Sequence, residues 1–398
     1  MKSEGAGMKQ LAVIEKDHCY ISAVLENQQL DNVIVEETSE DSLLAGDIYV
    51  CRVSHIVQNI NAAFVEVQKD VMCYLPMEKN RGALEKIVQG MEFAVQVKKA
   101  AVKSKQAVVS RKLEFAGRFA VVTTENLSQS ISSKISDPKE RQRLEGILEE
   151  LGTECQEAGV GIILRTSCSR ADREQILSES RQLIQEAQDV LQKAGNRTYT
   201  TRLYRSQPEF IKFLDSEAGS FRRIITDVPE VFRRLESYPG LEPEQLQFYE
   251  DPSYSLDKLL GISSKLAKAQ KKHVWLKSGG SLVIEPTEAL TVIDVNTQKA
   301  VAGRRNSETT FFKVNMEAAR EAARQIRIRN ISGIILIDFI DMKEKSKIKA
   351  LLQELENAFL NDQVKTTVVD ITRLGLVEIT RMKVRKPLSA FCIKDSYE

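Results

Sequence analysis

Two aspartates and an asparagine sit where an apolar strand would not ordinarily carry them. Asp294 and Asn296 lie in the run EALTVIDVNT, and Asp338 lies in GIILIDFIDM. Residues two apart on a strand leave from one face, so Asp294 and Asn296 share a side. A carboxylate among apolar strand residues is costly unless it is paired or binds a cation. Two converging carboxylates can hold one hard divalent ion. Mg2+ suits that role, because it takes oxygen ligands and keeps several waters. The competing reading is local: an Asp at a strand end can be a turn residue or a helix cap. Asp341 fits that reading, since Asp341-Met-Lys-Glu344 precedes the periodic run KSKIKALLQELENAFL as a capping box does. Asp338 has apolar neighbours on both sides and no such task. Asp370 closes a third apolar run, TTVVD, as a weaker candidate ligand.

The elements that must position these side chains are a strand, a crossover helix and a second strand. A right-handed β-α-β unit makes the strands parallel and brings their C-terminal ends to one side. Asp294 and Asp338 then converge. The crossover helix is expected over 308–329, with Phe312, Met316, Ala319, Ala323 and Ile326 as its buried face. Arg320, Arg324 and Arg327 fall on another face, with Arg304, Arg305 and Arg329 near the ends. Arginines beside an acidic metal site can hold phosphates, and they can equally form a solvated helix face.

Upstream, 398 residues allow two to four domains. A 42% hydrophobic and 28% charged composition is that of an ordinary soluble globular protein. Net charge is +1, so nucleic-acid binding would have to rest on local patches. No run of eighteen apolar residues and no signal-peptide core appear, which points to a cytoplasmic protein without a membrane span. Six cysteines lie apart with no C-x-x-C pair, so a reduced protein without structural zinc is expected. Short strand-like runs from GDIYVCRVSHIV to KQAVVSR suggest a small five-stranded barrel such as an OB-fold. Phe64 and Tyr74 lie on its strands, where they either stack bases or fill the barrel core. Lys98, Lys99, Lys103 and Lys105 form a basic edge. Helices are expected near 138–157 and 171–194, the second burying Ile176, Leu183, Ala187 and Val190. Between them GVGIILRTSC ends in Arg165-Thr166, a fork and a hydroxyl that can grip a phosphate or serve a structural role. SFRRIITD reads as a strand, VPEVFRRLESY as a helix, and KSGGSLVIEPTEAL as a hairpin turning at Gly279-Gly280.

TEALTVIDVNT, AARQIRIRN-ISGIILIDFIDM and DITRLGLVEITR, in this order, resemble the catalytic core of the ribonuclease E/G family. The likeness continues upstream and covers the chain to about residue 390. It implies an α/β multidomain fold: an RNase H-like subdomain split between 1–36 and 201–274, an inserted S1/OB-fold domain at 37–112, a 5′-sensor domain at 113–200, and a DNase I-like catalytic subdomain at 275–398. It also implies a Mg2+-dependent endoribonuclease for single-stranded RNA, with preference for a 5′-monophosphate. Asp294 and Asp338 match the metal ligands, and Asn296 matches the residue that helps position the site. Phe64, Tyr74 and Lys105 match RNA contacts of the S1 domain, and Lys365 matches a basic position near the scissile phosphate. Gly117, Val121, Arg165 and Thr166 match the 5′-phosphate pocket. Where the family continues into a zinc-linking C-P-x-C motif, this sequence reads LSAFCIKDSYE, with Cys392 alone. A zinc-linked assembly is therefore not expected, while a homodimer stays compatible. Two other functions compete: an RNA-binding protein of the same family without cleavage, and a phosphodiesterase on DNA.

Overall fold

The computed structural model describes residues 9–39, 42–77, 87–101, 106–216, 221–238, 241–297, 307–360 and 362–391. The fold is mixed α/β and divides into two compact units, one of Met1–Ser39 with Glu217–Glu398 and the other of Glu40–Ser216. The expected limit at residue 201 falls inside the second unit, where the strand Arg202–Tyr204 pairs with Ile48 and Tyr49.

The first unit holds two sheets. In one, the meander Lys9–Lys16, Cys19–Glu26 and Gln29–Glu37 is extended by Arg223–Thr226 and Leu246–Phe248, both parallel to the first strand. The other is six-stranded, in the order 273–275, 281–286, 290–296, 333–338, 377–381, 366–371. Its one parallel pair is Leu290–Asn296 with Gly333–Asp338, as the crossover requires. Alternation along Leu290–Asn296 buries Thr291, Ile293 and Val295 and leaves Asp294 and Asn296 on the more open face. Helices Ser307–Ile328 and Lys345–Phe359 cover the buried face. Ile293, Val295, Ile335 and Ile337 pack there against Ala318, Ala322 and Leu355. Alanines let the long helix approach closely, and each buried Ile or Leu side chain contributes about 1.5–3 kcal/mol.

That helix buries Ala319, Ala323 and Ile326 of the expected face, but not the two larger side chains fully. Val314, Ala318, Ala319, Ala322, Ala323 and Ile326 are buried, whereas Phe312 and Met316 are only half-buried. The alanine-rich side offers the closest packing, so it takes the sheet and displaces the two larger side chains to the flank. Its arginines are structural. Arg320 pairs with Glu354 at 2.6 Å, Arg324 with Glu321 at 2.6 Å, and Arg327 with Asp31 at 2.8 Å. Arg329 is held by Gln325 Oε1 and the Lys271 carbonyl, and burial lowers its pKa to about 10. Arg304 and Arg305 lie outside the described residues.

In the second unit, Ile48–Val57, Ala62–Gln68, Val71–Pro76, Val108–Ser110 and Glu92–Lys99 form a closed, OB-like barrel, the last strand pairing back onto the first. Tyr49, Val65, Cys73 and Val95 are among the side chains that fill it. A four-stranded sheet follows, in the order 129–131, 161–164, 120–123, 114–116, with helices Pro138–Ala158 and Arg173–Ala194 packed against it. Asp137 caps the first helix by accepting from the Lys139 N–H, and Gly159 ends it at φ 65°. The second buries Ile176, Leu183, Ala187 and Val190 as the spacing predicts. No helix among the described residues is long and apolar enough to cross a membrane.

Candidate active site

Register sets the centre of the site. Asp294 lies directly opposite Asp338 across the parallel pair, so the side chains project side by side from strands about 4.8 Å apart. The Asn296 amide donates to Asp294 Oδ2 at 2.7 Å and fixes the direction of that carboxylate. Burial raises the pKa of Asp338, and the negative charges of Asp294 and Asp341 raise it further. Among the described residues neither carboxylate has an ion-pair partner. Like charges facing one another across a ladder repel, and a cation between them would reverse that sign. The donor set also suits Mg2+, which keeps several waters and needs few protein oxygens. Among the described residues no group of three or more His, Cys, Asp or Glu side chains gathers as a cage. The site is two carboxylates and an amide, open for water and phosphate.

Asp341 is not the helix cap that its spacing predicts. The capping position of Lys345–Phe359 is Glu344, and its side chain makes no capping bond. Glu308, from the long helix, accepts from the Lys343 and Glu344 N–H groups at 3.2 and 3.0 Å. A carboxylate brought by tertiary packing has taken the local role, which leaves Asp341 exposed and near enough to act on Asp338. Asn315, fully buried, donates to the Ile340 carbonyl at 2.8 Å and accepts from its N–H at 3.1 Å. It clamps the backbone just past Asp338. Nothing in the strand motifs signalled it; the only trace is one amide in the apolar stretch FFKVNMEAA.

Two expected members do not join the pair. Asp370 is exposed on the edge strand, two strand spacings or roughly 10 Å from the Asp338 strand. Lys365 precedes Thr366, which stands opposite Arg381, itself opposite Gly333. That is the other end of the sheet, about 17 Å along the strand from Asp338, so Lys365 does not reach the carboxylates. The strand direction, antiparallel to its neighbour, decides this.

A second cluster lies on the barrel. Phe64 stands opposite both His55 and Tyr74 on adjacent strands. His55 stacks on Phe64 with centroids 4.7 Å apart and planes at 15°, and Tyr74 meets Phe64 edge-on at 5.9 Å. Both Phe64 and Tyr74 are half-buried and outside the barrel's packed core. The outcome is a three-ring outer surface, with His55 the member that the sequence reading missed. Alternation would put His55 inside with Cys51 and Val53; a β-bulge between Val53 and His55 turns it out. Lys98 is tied to Glu114 at 2.7 Å. Lys103 and Lys105 lie outside the described residues.

A third cluster closes the four-stranded sheet. The Arg165 N–H donates to the Phe119 carbonyl at 2.7 Å, and its guanidinium donates to the Gly117 carbonyl. Thr166 opens a short 3-10 turn, and both Arg165 and Thr166 side chains are exposed. Val121 pairs with Ile163 across the sheet and with Ala116 on its other side. Gly117, Val121, Arg165 and Thr166 thus come to one edge. Behind them sits Glu179, which accepts from the Phe119 and Ala120 N–H groups at 2.6 and 3.2 Å. Burial raises its pKa despite those bonds. A Cβ at residue 117 would lie 2.4 Å from Glu179 Oε1, so a side chain there would push the carboxylate from its place.

The profile of the ribonuclease E/G family matches residues 114–384. The chain is 30% identical to ribonuclease G of Escherichia coli (strain K12) over 399 aligned positions, covering 92% of this chain and 78% of that protein. It is 30% identical to ribonuclease G of Haemophilus influenzae, with the same coverage. It is 29% identical to ribonuclease E of Synechocystis, over 94% of this chain and 57% of that protein.

Proposed function

The chain belongs to the ribonuclease E/G family and is an endoribonuclease of that type, and from that premise we propose a Mg2+-dependent hydrolase that cuts single-stranded RNA in RNA processing. The observation that carries the metal assignment is the facing Asp294–Asp338 pair at matching register. Asp294 and Asp338 would hold the ion, which when bound supplies an activated water and charge neutralisation at the scissile phosphate. Asn296 orients the Asp294 carboxylate, and Asn315 holds the backbone beyond Asp338. Cleavage leaves a 5′-phosphate and a 3′-hydroxyl.

The remaining clusters serve the substrate. Phe64 and Tyr74, joined by His55, stack bases on the barrel. Arg165 and Thr166 take a 5′-monophosphate, with Gly117 and Val121 as walls. Lys105 is an RNA contact, and Lys365 is one remote from the Asp294–Asp338 pair. We read the five-stranded sheet as the RNase H-like subdomain and the six-stranded sheet with its helices as the DNase I-like one. The barrel is the S1 domain, and the four-stranded sheet with its helices is the 5′-sensor. A cytoplasmic homodimer completes the proposal; Cys392 lies outside the described residues.

The test is incubation of the purified chain with a labelled single-stranded RNA, with Mg2+ and with EDTA. Cleavage with Mg2+ alone is expected. Binding without cleavage in Mg2+ would make the protein an RNA-binding relative instead.

A further inference from the structure

A groove of about 1410 Å³ runs in the first unit beside the edge strand His273–Trp275 and the long helix. Its lining carries eight Lys and Arg side chains against two Glu, in a chain whose net charge is only +1. The arginines are already held: Arg320 by Glu354 and Arg324 by Glu321. Lys268, Lys271, Lys277 and Lys313 are exposed and, among the described residues, have no ion-pair partner. Phe312 and Met316, the two side chains displaced from the helix's buried face, give the groove an apolar wall.

The chain's single tryptophan stands at the rim of this groove, on its edge strand. Trp275 is 63% exposed, an unusual state for so large a ring. Ladder register relates it to the carboxylates. Trp275 stands opposite Ser281, and Ser281 opposite Asn296. Residues opposite one another share a face, so the indole projects from the face that carries Asp294 and Asn296. It lies two strand spacings, roughly 10 Å, from Asn296. His273 is related in the same way through Val283 to Asp294.

We propose that the single-stranded RNA next to the scissile phosphate crosses the edge strand His273–Trp275, with Trp275 stacking a base on the carboxylate face and the four free lysines contacting the phosphates that continue into the groove on the helix face. The proposal rests on the nuclease reading of the Asp294–Asp338 pair and adds a subsite to it. An exposed ring with unpaired cations around it is the combination that single strands use, stacking for the base and charge for the backbone. The charge excess fits a polyanion rather than an apolar partner helix.

Because there is one tryptophan, its emission reports this position alone. The full chain is titrated with a 5′-hydroxyl single-stranded RNA in EDTA, following Trp275 emission and the anisotropy of labelled RNA. Saturable quenching with the same midpoint as the anisotropy is expected. Trp275→Ala should weaken binding roughly five- to a hundredfold, and Trp275→Phe should restore most of it. Lys271→Ala and Lys313→Ala should each reduce the slope of log affinity against log salt by about 0.7. RNA that binds, and is cut with Mg2+, while Trp275 emission and the Trp275→Ala affinity stay unchanged overturns the groove and leaves the nuclease reading intact. Quenching without cleavage in Mg2+ supports the groove and refutes the nuclease reading. No binding by either signal refutes both.

Discussion

The Asp294–Asp338 edge and the Arg165–Gly117 edge use the same device with opposite charge. Each is a place where sheet strands end and backbone turns away. At the first, two carboxylates face one another across a parallel ladder, among the described residues without an ion-pair partner, and Asp338 is pushed up by burial and by Asp294 and Asp341. At the second, the guanidinium of Arg165 and the Thr166 hydroxyl stand exposed over a turn. Glu179, behind them, is turned inward onto backbone N–H groups. The first edge is built to receive a cation and the second an anion. What separates them is where the acid points. Fully satisfied by backbone donors, Glu179 braces the turn; left facing another acid, Asp294 makes a site.

The largest test of that contrast removes one acid of the facing pair. Asp294→Asn and Asp338→Asn should each lower the cleavage rate by about a thousandfold or more, because loss of a metal ligand forfeits several kcal/mol of charge stabilisation. RNA affinity in EDTA should hardly change. A variant that keeps most of the wild-type rate at saturating Mg2+ would break the comparison, leaving the pair without a metal role.

The second test addresses the anion edge. A charge-assisted hydrogen bond contributes about 1.5–3 kcal/mol, so 5′-monophosphorylated RNA should be cut roughly ten- to a hundredfold faster than 5′-hydroxyl or 5′-triphosphate RNA of the same sequence. Arg165→Ala should erase that preference and leave the hydroxyl-ended rate alone. Rates for the three end chemistries decide it, with sedimentation recording the assembly state. Equal rates in a dimer confirmed by sedimentation would assign Arg165 a purely structural role through Gly117.

The smallest effect is expected at the barrel. Phe64→Ala and Tyr74→Ala should each weaken RNA binding by about 1–3 kcal/mol while the rate at saturating RNA survives. Unchanged affinity in a folded double variant would return the rings to a packing role and confine substrate recognition to the two charged edges.

Local pattern was enough for much of this. Alternation placed Asp294 and Asn296 on one face, and the crossover length made their strand parallel to that of Asp338. The helix expected near 138–157 runs from Pro138 to Ala158. The order of motifs from TEALTVIDVNT to DITRLGLVEITR sufficed for the family. These signals depend on side-chain period and backbone preference over a few residues, which a sequence displays directly.

Other features exist only once distant segments meet. Glu308 displaced Asp341 from its expected cap because a carboxylate on another helix arrived at the same N–H groups. Alanine's close packing on the long helix left Phe312 and Met316 half-buried, as a groove wall. An antiparallel register carried Lys365 to the far end of the sheet from Asp338. Asn315, Glu179 and His55 acquired their partners across 25, 60 and 9 residues of chain, respectively, through contacts that no local period encodes. The residue types were in the sequence; which face they take, and whether an acid finds backbone donors or another acid, was decided by packing.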